Sequence, residues 1–175
     1  MSAFAANETK HAPFPIPGLR LIPLALLQPI LNKIGKGFAS SHPELFARLG
    51  HHSEKCFVID PLDLPFVLAL WPKQNAPTLR AFRRDQLPHH DARIAGTFIN
   101  LFDMIDGQID GDALFFTRDL DISGDTEAIV ALRNALDDID GGAVNNIANA
   151  FGPFSRPAML AIAMLRNLRS RSSHN

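Results

Sequence analysis

Residues 111–140 read GDALFFTRDLDISGDTEAIVALRNALDDID, and this stretch decides the fold. In its first half, apolar residues alternate with mostly polar ones, as in a strand with one buried face. Gly124 then breaks the strand, and Asp125 or Thr126 is placed to cap the free amides of a helix. In the second half, one helical face carries Ile129, Leu132, Leu136 and Ile139. The stretch therefore predicts a buried strand that turns directly into an amphipathic helix.

A second block, LRLIPLALLQPILNKIGKGFA at residues 19–39, is an apolar leader interrupted by prolines that continues into a helical pattern. The two blocks resemble the sterol-carrier-protein-2-like (SCP-2) lipid-binding family, in which an LFF segment, a spacer, ISGD and a long helix close a sheet over an apolar cavity. More narrowly, both blocks look like those of the UbiT-type accessory factors of bacterial ubiquinone biosynthesis. They cover under a third of the chain, and residues 39–110 match in element order alone.

Length and charge exclude several classes of protein. The chain has 175 residues, enough for one domain with a sizeable core. Its 17 basic and 18 acidic residues give no field that attracts nucleic acid, so nucleic acid is not an expected partner. The single Cys56 fits a reducing compartment. The apolar stretch at 19–31 is too short to cross a bilayer, so we expect a cytoplasmic protein, peripheral at the inner membrane.

The order of the elements predicts the fold class. A first helix is expected from about Gln28 to Leu49, with a break around Gly35, Gly37 and Pro43. Short β-rich runs follow at 56–60, 65–71, 78–84 and 92–97, and a short helix is expected from Phe98. The prediction is an α/β (α+β) fold of the SCP-2-like kind, a mostly antiparallel five-stranded sheet covered by helices around a hydrophobic cavity. Its expected parts are a flexible segment at 1–27, the lipid-binding domain at 28–155 and an apolar and basic helix at 156–175.

Residues with catalytic or metal-binding chemistry form no convincing site. His51 and His52 are adjacent and would point to different sides of a helix or strand, and Cys56 has no second cysteine beside it. The loop MIDGQIDGDALF has the start of a calcium motif but lacks its closing glutamate. We therefore expect no metal, no cofactor and no catalytic residue. An acyl-transfer or hydrolytic enzyme is the alternative, with Cys56 or a serine near His89 as its nucleophile.

Aromatic and aliphatic side chains are the remaining candidates for a functional site. The predicted lipid-binding residues are Phe98, Leu101, Phe102, Ile105, Leu114, Phe116, Ile129, Leu132 and Leu136. Such stripes are also what a solid core requires, and a plain core is the alternative. The family resemblance favours a cavity, because ligand sites for apolar chains are mostly apolar and largely pre-formed.

The two termini are predicted to contact a membrane surface. The residues assigned to this contact are Leu21, Ile22, Leu24, Leu27, Arg166, Arg169 and Arg171. Apolar insertion together with basic attraction to anionic lipid gives reversible attachment. The alternative is that the C-terminal helix docks on the domain and ends in a solvated tail.

The resemblance implies a non-catalytic function. It implies an accessory factor that binds ubiquinone or its isoprenoid precursors and presents them to the oxygen-independent hydroxylases of ubiquinone biosynthesis, with the bound lipid as ligand. A general fatty-acyl, phospholipid or sterol carrier is the alternative within the same fold, because cavity shape is not visible in a sequence.

Overall fold

The structure is a computed structural model that describes residues 23–73, 76–106 and 120–137. The helices are α1 (Leu24–Ser41), α2 (Pro43–Leu49), α3 (Phe98–Asp106) and α4 (Thr126–Asp137). The strands are β1 (Phe57–Pro61), β2 (Val67–Trp71), β3 (Thr78–Phe82), β4 (Ala92–Gly96) and β5 (Leu120–Gly124). Short 3-10 helices at Gly50–Glu54 and Arg84–Gln86 complete the regular structure of the described ranges.

The described strands form one five-stranded sheet in the order β3-β2-β1-β4-β5. Strands β1 and β4 are parallel, and the other neighbouring pairs are antiparallel. The mostly antiparallel five-stranded sheet expected from the sequence is thereby confirmed. The parallel pair arises because the chain leaves β1 for the β2–β3 hairpin and returns to the other side of β1 as β4.

Alternation along the strands separates two faces of the sheet. Phe57 and Val58 are both fully buried, but they belong to different apolar clusters on the two sides. The cluster on the helical side joins the sheet to α2, α3 and α4, and its buried members are Leu45, Phe46, Leu49, Phe57, Ala92, Ile94, Leu101, Leu120, Ala128, Ile129, Leu132 and Ala135. The smaller cluster on the other side consists of Cys56, Val58, Val67 and Ala69. The main core therefore lies between the sheet and these helices.

The first helix differs from its predicted course. It begins at Leu24 rather than near Gln28, and it continues through Gly35 and Gly37. The break comes at His42, whose φ of −135° and ψ of 63° leave the helical region before Pro43. Glycine costs a helix interior only about 1 kcal/mol, whereas proline disfavours helical geometry in the residue before it. Proline therefore decides where the helix breaks.

The ISGD segment at 122–125 forms the predicted turn from strand to helix. Gly124 has a φ of +81°, and a Cβ atom there would lie 2.3 Å from the carbonyl oxygen of Asp91. The amide of Asp125 donates to that same carbonyl at 2.9 Å. The Asp125 carboxylate accepts from the amide of Ala128 at 3.0 Å, so Asp125 is the helix cap. Its second oxygen accepts from the ammonium of Lys55. The hydrogen bond from Lys55 is the main reason that the pKa of Asp125 is lowered, and the hydrogen bond from the Ala128 amide lowers it further.

Candidate functional site

An apolar cavity of about 140 Å³ lies between the sheet and the helices. The sheet contributes Ile59, Leu70, Leu79 and Ile94, and the two ends of the loop that joins β2 to β3 contribute Pro72 and Pro77. The helices contribute Ile34 and Gly35 from α1, Leu45 and Phe46 from α2, Leu101 and Met104 from α3, and Leu132 and Leu136 from α4. Every described layer of the fold thus supplies part of the wall.

Strand register brings the sheet residues of this wall together. Leu70 is paired with Leu79 between β2 and β3, and Ile59 is paired with Ile94 between β1 and β4. Directly paired residues project from the same face of a sheet, so each pair presents two branched side chains to the helices. The sheet side of the cavity is therefore formed by apolar side chains from four neighbouring strands.

Three of the nine predicted lipid-binding residues line the cavity, namely Leu101, Leu132 and Leu136. The side chain of Ile105, together with Leu114 and Phe116, lies outside the described residues. The predicted lipid-binding role of all nine residues remains a prediction.

Phe98, Phe102 and Ile129 are not among the described residues that line this cavity. Helix α3 turns Leu101 and Met104 towards the cavity, while the rings of Phe98 and Phe102 meet on a neighbouring stripe with centroids 5.9 Å apart. Ile129 is buried instead in the core cluster of the helical side.

Several lining residues were missed in the sequence, although some of them leave a signal there. Met104 follows Leu101 by three residues and so shares its helical face. Ile59 and Leu70 occupy alternate positions of predicted strands, which identifies a face but not what that face contacts. Ile34 of α1 lines the cavity as well.

The titratable groups near the turn are held in structural contacts. Burial, reinforced by the charge of Asp91, raises the pKa of the Cys56 thiol to about 11, so this thiol is protonated at neutral pH. The buried His52 places its Nδ1 2.9 Å from the Nζ of Lys55, which also binds Asp125. Within the described ranges, no three His, Cys, Asp or Glu residues cluster closely enough to hold a metal ion. A buried protonated thiol is a poor nucleophile, which argues against Cys56 as the nucleophile of the enzyme alternative.

The sheet face away from the cavity carries a buried carboxylate with two cationic partners. Asp60 accepts from Arg84 at 2.8 Å and from Arg93 at 2.6 Å. Arg93 also approaches Asp121 on β5 at 3.6 Å. Because both oxygens of Asp60 are paired, these residues link β1, β4 and β5 and form a structural group.

Only two of the residues predicted to contact a membrane, Leu24 and Leu27, lie within the described ranges. Leu24 and Leu27 are half-buried at the start of α1, while Leu26 between them is 65% exposed. Leu21, Ile22 and the arginines at 166, 169 and 171 lie outside the described residues. None of the described helices combines the length and hydropathy needed to cross a membrane.

Comparisons with known proteins agree with this architecture. The model of the SCP-2 sterol transfer family matches residues 31–137. A solved structure titled UbiJ-SCP2 ubiquinone synthesis protein is similar, with a TM-score of 0.53 and 15% identity, and the match covers 66% of this chain and 93% of that one. Apo sterol carrier protein 2 from Yarrowia lipolytica matches with a TM-score of 0.46 and 15% identity over 65% of this chain and 91% of that one. No match was found among curated proteins.

Proposed function

This chain belongs to the SCP-2 sterol transfer family, and we propose that it is a non-catalytic carrier of an isoprenoid lipid, ubiquinone or one of its precursors. The observation that carries the proposal is the cavity enclosed by the sheet, the hairpin ends and all four described helices. Each side chain on its wall is apolar among the described residues, as a site for a hydrocarbon chain requires. Such a wall binds through burial, at about 25 cal/mol for each Å² of apolar surface.

The volume of the cavity limits what it holds in this conformation. About 140 Å³ is close to the roughly 150 Å³ of an apolar cavity that stays dry and binds benzene. The enclosed space therefore accommodates one isoprene-sized group, and a longer tail must continue beyond it or displace a helix. We expect affinity to rise with the first units of the tail and then to depend on how α1, α3 and α4 adjust.

The assignment to ubiquinone rests on two likenesses. The structure titled UbiJ-SCP2 ubiquinone synthesis protein shares the fold, and the block at 19–39 looks like the leader of the UbiT-type accessory factors. A polyprenyl tail is insoluble in water, so an enzyme working outside the bilayer needs a protein that presents the lipid. The proposed partners are the oxygen-independent hydroxylases of this pathway. The proposed place of presentation is the membrane surface, which the chain contacts reversibly through its termini.

Lipid extraction from gently purified full-length protein tests the proposal. Native mass spectrometry should show a bound isoprenoid quinone or precursor, and lipid-free protein should take up short-tailed ubiquinone analogues. Uptake of fatty acids and sterols is measured beside it as a comparison. Repeated recovery of empty protein that takes up no quinone analogue contradicts the carrier proposal. Uptake of fatty acids or sterols in preference to quinones would establish the general lipid carrier instead.

A further inference from the structure

A polar groove lies beside the cavity, between α1 and the start of β3. Its volume is about 620 Å³, and its walls are Asn32, Lys36, Ala39 and Ser40 on α1 with Ala76, Pro77 and Thr78 on the other side. Pro77 lines both the groove and the apolar cavity. Gly35, which lines the cavity, directly precedes Lys36, which lines the groove. The cavity and the groove therefore adjoin each other where α1 packs against Pro77.

The groove offers hydrogen-bond donors and positive charge. Helix α1 contains Lys33 and Lys36 and no acidic residue. Both lysines are exposed, and neither forms a hydrogen bond or salt bridge within the described part of the chain. Asn32 accepts from Gln28 at 2.8 Å through its side-chain oxygen, which leaves its amide group directed to other acceptors. A ligand group with acceptor oxygens or negative charge suits this surface.

Gly35 lies at the boundary between the cavity and the groove. It lies inside a regular helix, where glycine is less stable than alanine. A Cβ atom at this position would be 3.7 Å from the carbonyl oxygen of Pro77, which is an ordinary contact, so packing does not demand glycine. A larger side chain would fill the space between α1, Pro77 and Leu79.

We propose that this groove binds the polar head of the lipid whose apolar chain occupies the cavity, with Lys36 as the charged contact. The inference rests on the proposed carrier function and extends it by naming the chemistry of the head group. A cavity of about 140 Å³ cannot enclose a whole lipid, so part of the lipid must lie outside it, and the groove with Lys36 adjoins the cavity at Gly35 and Pro77. The ligand class is an amphipathic lipid with an acceptor-rich head, and an anionic head binds more tightly than a neutral one.

Two lipids with the same chain and different heads test the inference. Binding of laurate and of lauryl alcohol to the full-length protein is measured by calorimetry below their aggregation limits and without vesicles, so a membrane surface plays no part. Lys36→Met removes the charge while keeping an unbranched side chain. The control is Arg83→Met, which removes an exposed cation beyond the opposite end of β3. A further variant, Gly35→Leu, places a larger side chain between the cavity and the groove.

We expect Lys36→Met to weaken laurate binding roughly tenfold, the loss of one charge-assisted contact, and to leave lauryl alcohol binding unchanged. Arg83→Met should alter neither lipid, and Gly35→Leu should weaken both. An unchanged ratio of laurate to alcohol affinity in a folded Lys36→Met protein overturns the head-group site while leaving the carrier function intact. Failure of the unmodified protein to bind either lipid contradicts the use of the cavity as a chain site, and the head-group site falls with it.

Discussion

Replacing Leu132 with tryptophan distinguishes a binding cavity from an imperfectly packed core. Leu132 lies on α4, is 8% exposed and lines the cavity. A sealed apolar void costs a protein roughly 24 cal/mol per Å³, so this partly open cavity of about 140 Å³ costs the lipid-free protein at most about 3 kcal/mol. An indole ring that enters this space recovers part of that free energy, which offsets the strain of the larger side chain. We therefore expect the free energy of unfolding to stay within about 1 kcal/mol of the original.

The matched control is Ile129→Trp, one turn earlier on the same helix. Ile129 is 3% exposed and packs in the core cluster outside the cavity lining. Overpacking a dense core costs typically about 1–3 kcal/mol, so this variant should be the less stable of the two. Urea unfolding of lipid-free protein gives the stability, and displacement of a fluorescent fatty acid gives lipid uptake. Leu132→Trp should lose uptake while it stays folded. If Leu132→Trp is as unstable as Ile129→Trp, or takes up lipid like the original protein, the cavity is not the binding site.

Four further predictions follow from the turn, the thiol and the termini. Gly124→Ala should lower the free energy of unfolding by about 2–3 kcal/mol, because alanine is strained at a positive φ and its Cβ would disturb the hydrogen bond from the Asp125 amide to the Asp91 carbonyl. A loss below about 0.5 kcal/mol in urea unfolding would contradict the close approach of Gly124 to that carbonyl. Because the folded pKa of Asp125 lies below its unfolded value, its contribution to stability is present above about pH 4 and is lost as the pH falls through the folded pKa. Asp125→Asn keeps a side-chain oxygen for the cap but cannot titrate. The difference between its urea-unfolding midpoints at pH 7 and in acid should therefore be smaller than in the original protein, and an unchanged difference would refute the contribution of the Asp125 charge to stability. With a thiol pKa of about 11, Cys56 should react with iodoacetamide slowly at neutral pH until the protein is unfolded, and Cys56→Ser should keep lipid uptake. Full-length protein should float with anionic liposomes at low salt and release at high salt, and deleting residues 1–27 together with neutralising Arg166, Arg169 and Arg171 should abolish binding; unchanged binding would assign the membrane contact to another surface.

The ISGD turn was predictable because its causes are local. Glycine is the residue that adopts a positive φ without strain, and aspartate after it accepts from an amide three residues on. The structure adds a reason that no local pattern contains, the approach of Gly124 to the carbonyl of Asp91. That contact joins residues 33 positions apart, and only the pairing of β4 with β5 brings them together.

The wall of the cavity was only partly predictable because it depends on how helices lie over the sheet. Leu101 was predicted as a lipid-binding residue and lines the cavity, but the sequence did not show that Met104 lines the cavity as well, whereas Phe98 and Phe102 do not. The contribution of the sheet was missed for a similar reason. Alternation places Ile59 on one face of β1, and register is needed to set it beside Ile94.

The ISGD turn, the most diagnostic part of the sequence, influences the cavity without lining it. The turn at Gly124 and Asp125 ties the beginning of α4 to Asp91, and Lys55 holds the capping carboxylate from the segment before β1. Leu132 lies six residues into that helix from Thr126, about 9 Å along its axis, and Leu136 lies one further turn on. Helix α4 is thus fixed at its first turn, and the side chains two and three turns later cover the cavity. In the proposed function a lipid contacts the far part of the helix, while the glycine and aspartate set the direction in which the helix leaves the sheet.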